Sequence, residues 1–252
     1  MSAITRRRLL RAGAAIAGGA AVAGGLTSLA GRRGWLAPDA GEWFGVGEAL
    51  TYGSQRALMA MHSMAREFNR SDISKVAPVN GPAPEIDDYQ RLLADDFTAW
   101  RLTINGLVAR PSTFSLADLK RLPSRSQITQ QACEEGWSFI AEWTGVPLAL
   151  LLDLAGIQPA AKWVVFYPFD QWWDSLDIVE ARHPQTLLAY ALNQRDLPAD
   201  HGAPLRLRVP RQLGYKSIKY LSRIEAVASL DHVRNGKGSQ SPDEGYSWYA
   251  GI

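Results

Sequence analysis

The sequence holds one cysteine, Cys133, among its 252 residues. A lone thiol cannot form a disulfide within its own chain, so the fold depends on its hydrophobic core and not on covalent cross-links. The thiol is left with three roles: nucleophile, metal ligand or small core residue. Polar, acidic, glycine and tryptophan residues surround it in the run QACEEGWSFIAEWTGVPL.

Several metal and nucleotide motifs are also missing. The chain has four histidines, so a cysteine hydrolase with a histidine base stays possible, although the sequence places none of them beside Cys133. The absence of CxxC, HExxH and a second cysteine argues against zinc. There is no GxGxxG run, P-loop or CxxCH, which argues against nucleotide binding through those motifs and against covalent haem. A metal whose other ligands are not protein groups remains.

The chain has no strong charge of either sign. It carries 27 basic and 25 acidic residues, and four of the arginines lie within the first eleven positions. Nucleic acid is therefore not an expected partner. Beyond the N-terminal segment, no stretch is long and apolar enough for a membrane-spanning helix, so we expect the rest of the chain to be soluble.

The N-terminal segment has the pattern of an export signal. Thr5 is followed by three arginines and two leucines, and then by a mild Ala/Gly-rich stretch, which fits a twin-arginine signal. Ser28-Leu29-Ala30 offers a small-x-small cleavage site. We predict that residues 1–30 are this signal, that residues 31–252 form one domain, and that the protein is periplasmic. An ordinary basic tail or an uncleaved anchor is the alternative. Because this route exports folded proteins, it favours a cofactor inserted before export.

Short strand-like segments and short helical segments along the chain predict an α+β fold. Residues 31–62 are expected to be irregular or partly helical, and residues 66–88 to be extended loop. Strands are predicted at 100–104 and 107–108 around an Asn105-Gly106 turn, and at 127–132, 163–167 and 205–209. A short helix is predicted after Ser115, which would cap it, and an apolar helix is predicted at 148–154, where Gly156 would end it. A third helix is predicted at 183–192.

Four runs together resemble a known family. They are ITQQACEEGWSFIAEWTGVPL, HPQTLLAY, HGAPLRLRVPRQLGYKSIKYLSRIE and GYSWYAGI, and the resemblance extends over nearly the whole chain after the signal. The chain is similar to the sulfite oxidase superfamily of molybdopterin enzymes, most of all to the periplasmic branch with the protein-methionine-sulfoxide reductase catalytic subunit. The resemblance implies a mixed-sheet, single-domain fold that binds Mo-molybdopterin. It also implies that Cys133 is the catalytic molybdenum ligand, a role that suits a soft thiolate. A small buried core residue is the alternative for Cys133.

The resemblance also assigns cofactor contacts. His201 stands where the reductase branch has asparagine, and Pro168, which lacks an N–H donor, stands where it has threonine. An upstream run, residues 63–68, matches the family at Glu67 but has Ser63 where the family has asparagine and Arg66 where it has tyrosine. Solvent-facing positions are the alternatives for Arg206, Lys219 and the upstream run. The predicted cofactor-binding residues are Ser63, Arg66, Glu67, Cys133, Pro168, His201, Arg206, Ser217, Ile218 and Lys219.

For activity, the resemblance implies oxygen-atom transfer, with reduction of sulfoxides such as protein methionine sulfoxide as the main hypothesis. Oxidation of sulfite or another small molecule on the same fold is the first alternative, and a cofactor-free exported binding module is the second. A sulfite enzyme should gather arginines round the metal, and Arg182, Arg208 and Arg211 are candidates. Trp172 and Trp173 could form a substrate-gripping rim, pack in the core or contact a partner. Lacking haem and iron–sulfur motifs, the chain would receive electrons from a partner, expected to be a membrane haem subunit. No metal other than molybdenum is expected.

Overall fold

Alternating and short apolar segments assemble into two sheets with helices beside them. The computed structural model describes residues 45–58 and 63–252. Within these residues the α-helices are α1 (Gly45–Leu58), α2 (Asp87–Ala94), α3 (Leu116–Arg121), α4 (Leu148–Ala155) and α5 (Ile178–Ala181). The strands are β1 (Leu102–Gly106), β2 (Ser112–Phe114), β3 (Arg125–Ala132), β4 (Ser138–Pro147), β5 (Trp163–Pro168), β6 (Asp174–Asp177), β7 (Leu187–Leu192), β8 (Arg195–Asp196), β9 (Arg206–Arg208) and β10 (Leu221–Val227).

The two sheets have five strands each and share one core. The first runs β2-β1-β10-β5-β6, in which only the β1–β10 pair is parallel. The second runs β3-β4-β7-β8, and β9 also pairs with β7. Ile104 and Ile224 of the first sheet belong to the same buried cluster as Leu188 and Leu207 of the second and Leu151 of α4. The α+β, single-domain prediction is confirmed.

Local sequence signals predicted several elements correctly. The predicted cap at Ser115 is present: its Oγ accepts the Asp118 N–H at 3.1 Å, and Asp118 Oδ2 accepts the Ser115 N–H at 2.9 Å. Helix α4 ends at Gly156, whose φ of 68° is a left-handed conformation that glycine adopts without strain. The strand predicted at 127–132 is part of β3, and Cys133 follows its last residue.

The turn predicted at Asn105-Gly106 is wrong. Both residues belong to β1, and the connection to β2 spans residues 107–111. The cause is a long-range pairing, because Gly106 lies opposite Ala226 of β10. A Cβ on Gly106 would lie 2.2 Å from the Ala226 carbonyl oxygen, so the glycine permits close strand approach and does not make a hairpin turn.

The helix predicted over 183–192 is also wrong. Residues Leu187–Leu192 form strand β7, which lies between β4 on one edge and both β8 and β9 on the other. A short apolar run fits a buried strand as well as a helix, and pairing with strands distant in sequence decided between them here.

Outside the described residues lie the predicted signal at 1–30, its arginines and its cleavage site, so the export prediction stays a prediction. Among residues 45–58 and 63–252, none of the helices combines the length and the apolar character needed to cross a bilayer. The predicted boundary at residue 31 is likewise not described.

His183 is a buried histidine beside the second sheet, and it should make the stability of the folded state depend on pH. Burial, followed by the charge of Arg211, lowers the pKa of His183 from 6.5 to about 4. The folded state therefore binds fewer protons at this group than the unfolded state between those values, and its stability falls as pH drops from 6.5 towards 4. We expect His183 to contribute on the order of 1–3 kcal/mol to this loss.

The measurement is urea unfolding at pH 7.5 and pH 5. His183→Asn keeps an acceptor for the Gln185 N–H, which bonds to His183 Nδ1 at 3.2 Å, but it does not titrate. The variant should lose less stability than the wild type between the two pH values. An equal loss in both proteins would mean that other groups cause the acid sensitivity.

Candidate active site

Cys133 lies in the connection between β3 and β4. Its backbone N–H donates to the Trp137 carbonyl at 2.9 Å, and the Gly136 N–H returns to the Cys133 carbonyl at 3.1 Å. The turn holds Cys133 at 7% exposure on the wall of a cavity of about 270 Å³. The predicted ligand is thus at a concave site and not in a packed core position.

Several separate segments contribute to the cavity wall. Six of the predicted site residues line it together: Cys133, His201, Arg206, Ser217, Ile218 and Lys219. Aromatic side chains of Trp137, Phe139, Trp172, Tyr215 and Tyr220 line it as well. Predicted site residues as far apart in sequence as Cys133 and Lys219, 86 positions, therefore meet at one cavity, which supports their assignment to one ligand.

Two buried arginines lie side by side in β9 without a carboxylate partner among the described residues. Arg206 donates from Nε to the Ser217 carbonyl and from Nη1 to the His201 carbonyl, both at 3.1 Å. Arg208 donates to Thr129 Oγ1 at 3.1 Å and to the Gln130 carbonyl at 2.5 Å. Burial lowers the pKa of Arg206 to about 10 and, with the charge of Arg206, that of Arg208 to about 9. Arg206 is the one of the two that lines the cavity, and a buried cation paired only with neutral groups favours an anionic ligand.

Lys219 and His201 lie on the same wall. Lys219 Nζ donates to the carbonyls of Asn80 at 2.7 Å and Asp200 at 3.1 Å. Burial, followed by the charge of Arg206, lowers the pKa of Lys219 to about 8 and that of His201 to about 4. His201 is therefore neutral at pH 7 and can both donate and accept a hydrogen bond.

The Cys133 thiol has two polar neighbours. Its Sγ–H donates to Glu134 Oε2 at 3.3 Å, and Asn80 Nδ2 donates to the sulfur at 3.8 Å. Burial raises the pKa of the thiol, while hydrogen bonds from the Glu135 backbone and from Asn80 act in the opposite direction. A metal ion would remove the proton, since coordination deprotonates a thiol.

Asn80 is a residue that sequence reasoning missed. The sequence predicts only extended loop over residues 66–88, because its prolines and its Asn-Gly pair are typical of loops and turns. Its position beside the sulfur depends on how this loop crosses the cavity, 53 residues before Cys133 in sequence. No local pattern indicates that position.

Gly214 and Gln131 pack closely in one part of the cavity wall, where Gln131 also carries a hydrogen-bond acceptor that is unpaired in the described part of the chain. A Cβ on Gly214 would lie 2.5 Å from Gln131 Nε2 and 3.0 Å from the Ala132 carbonyl oxygen. Gln131 is 3% exposed and lines the cavity, and its Oε1 has no hydrogen-bond partner among the residues that the structure describes. A buried acceptor without a donor is costly unless a ligand N–H reaches it.

The other predicted site residues are not among those lining the cavity. The Ser63 carbonyl accepts from Arg211 Nη1 at 2.9 Å, and Glu67 Oε1 accepts from Arg125 at 2.5 Å and from Gln185 at 3.0 Å. Arg66 is exposed over the Phe68 ring, and Pro168 ends β5 opposite Leu221. Their assignment as cofactor contacts stays a prediction, without support from this arrangement.

The three arginines considered for a sulfite site do not line the cavity either. Arg182 pairs with Asp153 at 2.8 Å, and Arg211 pairs with Glu180 at 2.7 Å. Arg208 points to β3 as described above. Within the described part of the chain, no group of three or more His, Cys, Asp and Glu side chains could hold a metal ion.

The two adjacent tryptophans have different environments. Trp172 lines the cavity, and its backbone N–H donates to Asp170 Oδ1 at 3.0 Å. Trp173 instead stacks on Tyr167 with ring centroids 5.7 Å apart. Of the proposed rim, only Trp172 faces the site.

Known proteins resemble this chain in sequence and in fold. A family model for the oxidoreductase molybdopterin binding domain matches residues 89–232. The YedZ1 protein of Azospira oryzae, provisionally named a protein-methionine-sulfoxide reductase subunit, is 38% identical over 194 residues, covering 77% of this chain and 70% of that protein. The protein-methionine-sulfoxide reductase catalytic subunit MsrP of Campylobacter jejuni is 31% identical over 182 residues, covering 64% of this chain and 59% of that protein. The sulfane dehydrogenase SoxCD from Paracoccus pantotrophus superposes with a TM-score of 0.50 at 28% identity, covering 53% of this chain and 40% of that one.

Proposed function

Because this chain belongs to the oxidoreductase molybdopterin binding domain family, we propose that it reduces sulfoxides, including methionine sulfoxide in proteins. The family makes it a molybdopterin-dependent oxidoreductase. Two relatives with sulfoxide-reductase names support the substrate class. The chain spans only 59% of the Campylobacter relative, so that protein's full activity is carried over here as a proposal.

The cavity residues suit the cofactor. When bound, the molybdenum–pterin group would supply two-electron redox and oxygen-atom-transfer chemistry. Cys133 would be its protein ligand, and the buried charge of Arg206 would neutralise its anionic part. The orphan Gln131 Oε1 and neutral His201 offer the acceptor and donor that a pterin edge needs.

The charge of the cavity wall is the observation that carries the choice of a sulfoxide over sulfite. Three carboxylates, Glu134, Asp170 and Asp200, line the cavity, whereas its cations are Arg206 and Lys219, both already bonded to carbonyls. Sulfite is a small anion that would be repelled by Glu134 and Asp200, and among the described residues the arginine that lines the cavity, Arg206, is assigned to the cofactor. A neutral sulfoxide meets no such repulsion, and Trp137 and Trp172 offer apolar surface for its alkyl groups.

Sulfoxide reduction consumes two electrons and two protons for each water released. Asp170 is suited to hold a proton, because burial raises the pKa of its carboxyl. Its Oδ1 accepts the Trp172 N–H, which leaves Oδ2 as the oxygen for the proton. The electrons would come from a separate membrane subunit, which we expect to carry haem. The twin-arginine pattern supports a periplasmic location for this assembly.

The function is tested with the purified, molybdenum-loaded protein. We expect reduction of methionine sulfoxide, free and in an oxidised peptide, with a reduced viologen dye as electron donor. Sulfite with an oxidant should give a rate at least tenfold lower. Turnover with sulfite alone would favour the oxidase alternative, and protein without molybdenum or pterin, made with its N-terminal segment intact, would favour the binding module.

Arg206 should be needed to retain the cofactor. Replacing it in Arg206→Gln removes the buried positive charge, and loss of one charge-assisted contact costs on the order of 1.5–3 kcal/mol. We expect about a 10- to 100-fold weaker retention of the cofactor. Molybdenum per chain and pterin fluorescence after release measure it.

Arg182→Gln is the matched control, because Arg182 is an exposed arginine paired with Asp153 outside the cavity. It should hold as much molybdenum as the wild type. If Arg206→Gln also keeps full occupancy, Arg206 does not compensate the cofactor charge.

A further inference from the structure

A strap of chain, residues 78–83, crosses the cavity beside Cys133. Pro78 and Pro82 restrict its backbone, and Gly81 turns it with a φ of 67°. Residues 78–82 all line the cavity. Asn80 is therefore on a segment whose course is limited by its own sequence.

Three tertiary hydrogen bonds fix the strap. Lys219 Nζ donates to the Asn80 carbonyl at 2.7 Å, and Tyr220 Oη donates to the Pro82 carbonyl at 3.3 Å. The Ala83 N–H donates to Asp200 Oδ1 at 3.1 Å. The backbone of Asn80 is thus tied to a residue of the same wall that carries Arg206 and His201.

With its backbone held, the Asn80 side chain points its amide at the sulfur. Nδ2 lies 3.8 Å from Cys133 Sγ and 3.5 Å from Glu134 Oε1. An amide has two N–H groups, so it can serve both acceptors at once. When Cys133 binds a metal it has no S–H to give to Glu134, and the sulfur becomes a negatively charged acceptor.

We propose that Asn80 is a positioning residue that donates a hydrogen bond to the metal-bound Cys133 thiolate and tunes the molybdenum redox potential. A donor to a thiolate withdraws charge from the sulfur and favours the more reduced metal. Loss of the donor therefore lowers the midpoint potential. This role concerns the ligand sulfur and holds for a sulfoxide or a sulfite as substrate.

The test is a redox titration of the molybdenum-loaded protein followed by the Mo(V) electron paramagnetic resonance signal. Asn80→Leu keeps the branched shape and the number of heavy atoms but has no donor, while Asn80→Gln keeps the amide. We expect a lower midpoint potential and altered Mo(V) g-values in Asn80→Leu, with partial or full return in Asn80→Gln. Val76→Ala, at a 72% exposed position just before the strap, is the control and should match the wild type.

The results for the two Asn80 variants either support or overturn the role of the Asn80 amide. Loss of molybdenum from Asn80→Leu alone, with Asn80→Gln at the wild-type potential, also supports it, since Asn80→Gln keeps the amide donor and Asn80→Leu does not. An unchanged or raised potential in fully loaded Asn80→Leu overturns it. So does any result in which Asn80→Gln behaves as Asn80→Leu, including loss of metal from both. The titration uses no substrate, so failure of the sulfoxide assay is a separate result.

Discussion

Cys133→Ser should lower turnover by a factor on the order of a thousand or more while the protein stays folded. An alcohol is a harder and far less acidic ligand than a thiol, so it does not replace the thiolate on molybdenum. The change removes no bulk and the site faces a cavity, so we expect a stability change within about 1 kcal/mol. Dye-coupled methionine sulfoxide reduction, molybdenum content and thermal unfolding together measure the effect.

Ser138→Ala is a suitable control, because Ser138 begins β4 close in sequence to Cys133 but is exposed and bonds to Gln130. It should keep wild-type turnover. Wild-type turnover in Cys133→Ser would instead make Cys133 a small wall residue, and the metal ligand would have to be sought elsewhere.

Asp174→Asn should lower the free energy of unfolding by about 3 kcal/mol or more. Asp174 Oδ1 pairs with Lys216 Nζ at 2.6 Å, and both side chains are at most 2% exposed. The substitution leaves the Lys216 ammonium buried without its counter-charge, which is the costly way to break such a pair. In a protein of this size the midpoint of thermal unfolding should fall by about 10 °C.

Asp174→Asn should also affect the cavity that contains Cys133. Lys216 ends the short 3-10 turn Gly214–Lys216, and Gly214 and Tyr215 of that turn line the cavity. Ser241 Oγ also bonds to Asp174 Oδ2, at 3.1 Å, so the pair ties the C-terminal segment to the same place. We expect a lower molybdenum content in Asp174→Asn, measured by elemental analysis beside urea unfolding.

Two further variants distinguish the effect of breaking the buried Asp174–Lys216 pair from the effect of removing any carboxylate charge. Asp196→Asn removes an ion pair with Lys120 at a carboxylate that is 82% exposed, and it should cost under about 1 kcal/mol. Asp174→Asn combined with Lys216→Met removes both buried charges and should regain part of the lost stability. If Asp174→Asn costs no more than Asp196→Asn, the buried pair does not hold the turn.

Local patterns predicted the elements whose cause is local. The Ser115 cap and the glycine at the end of α4 act within a few residues, and alternation along β3 is set by a sheet with one buried face. The errors at Asn105-Gly106 and at 183–192 have the opposite cause. In both places a partner strand far away in sequence decided the conformation.

The same division holds for the site. Sequence motifs identified Cys133, His201, Arg206, Ser217, Ile218 and Lys219, and the fold brings these six to one cavity. Ser63, Arg66, Glu67 and Pro168 were carried over from weaker or departing matches, and they lie outside its lining.

The sequence by itself determined the family, the cofactor class and the single thiol available to the metal, because these follow from residue identity and from the spacing of short motifs. Only the tertiary structure decided that Arg182, Arg208 and Arg211 are away from the cavity, that carboxylates line its wall, and that Asn80 reaches the sulfur. The reason is geometric: the direction of a side chain and the charge of a cavity depend on segments that meet only after folding.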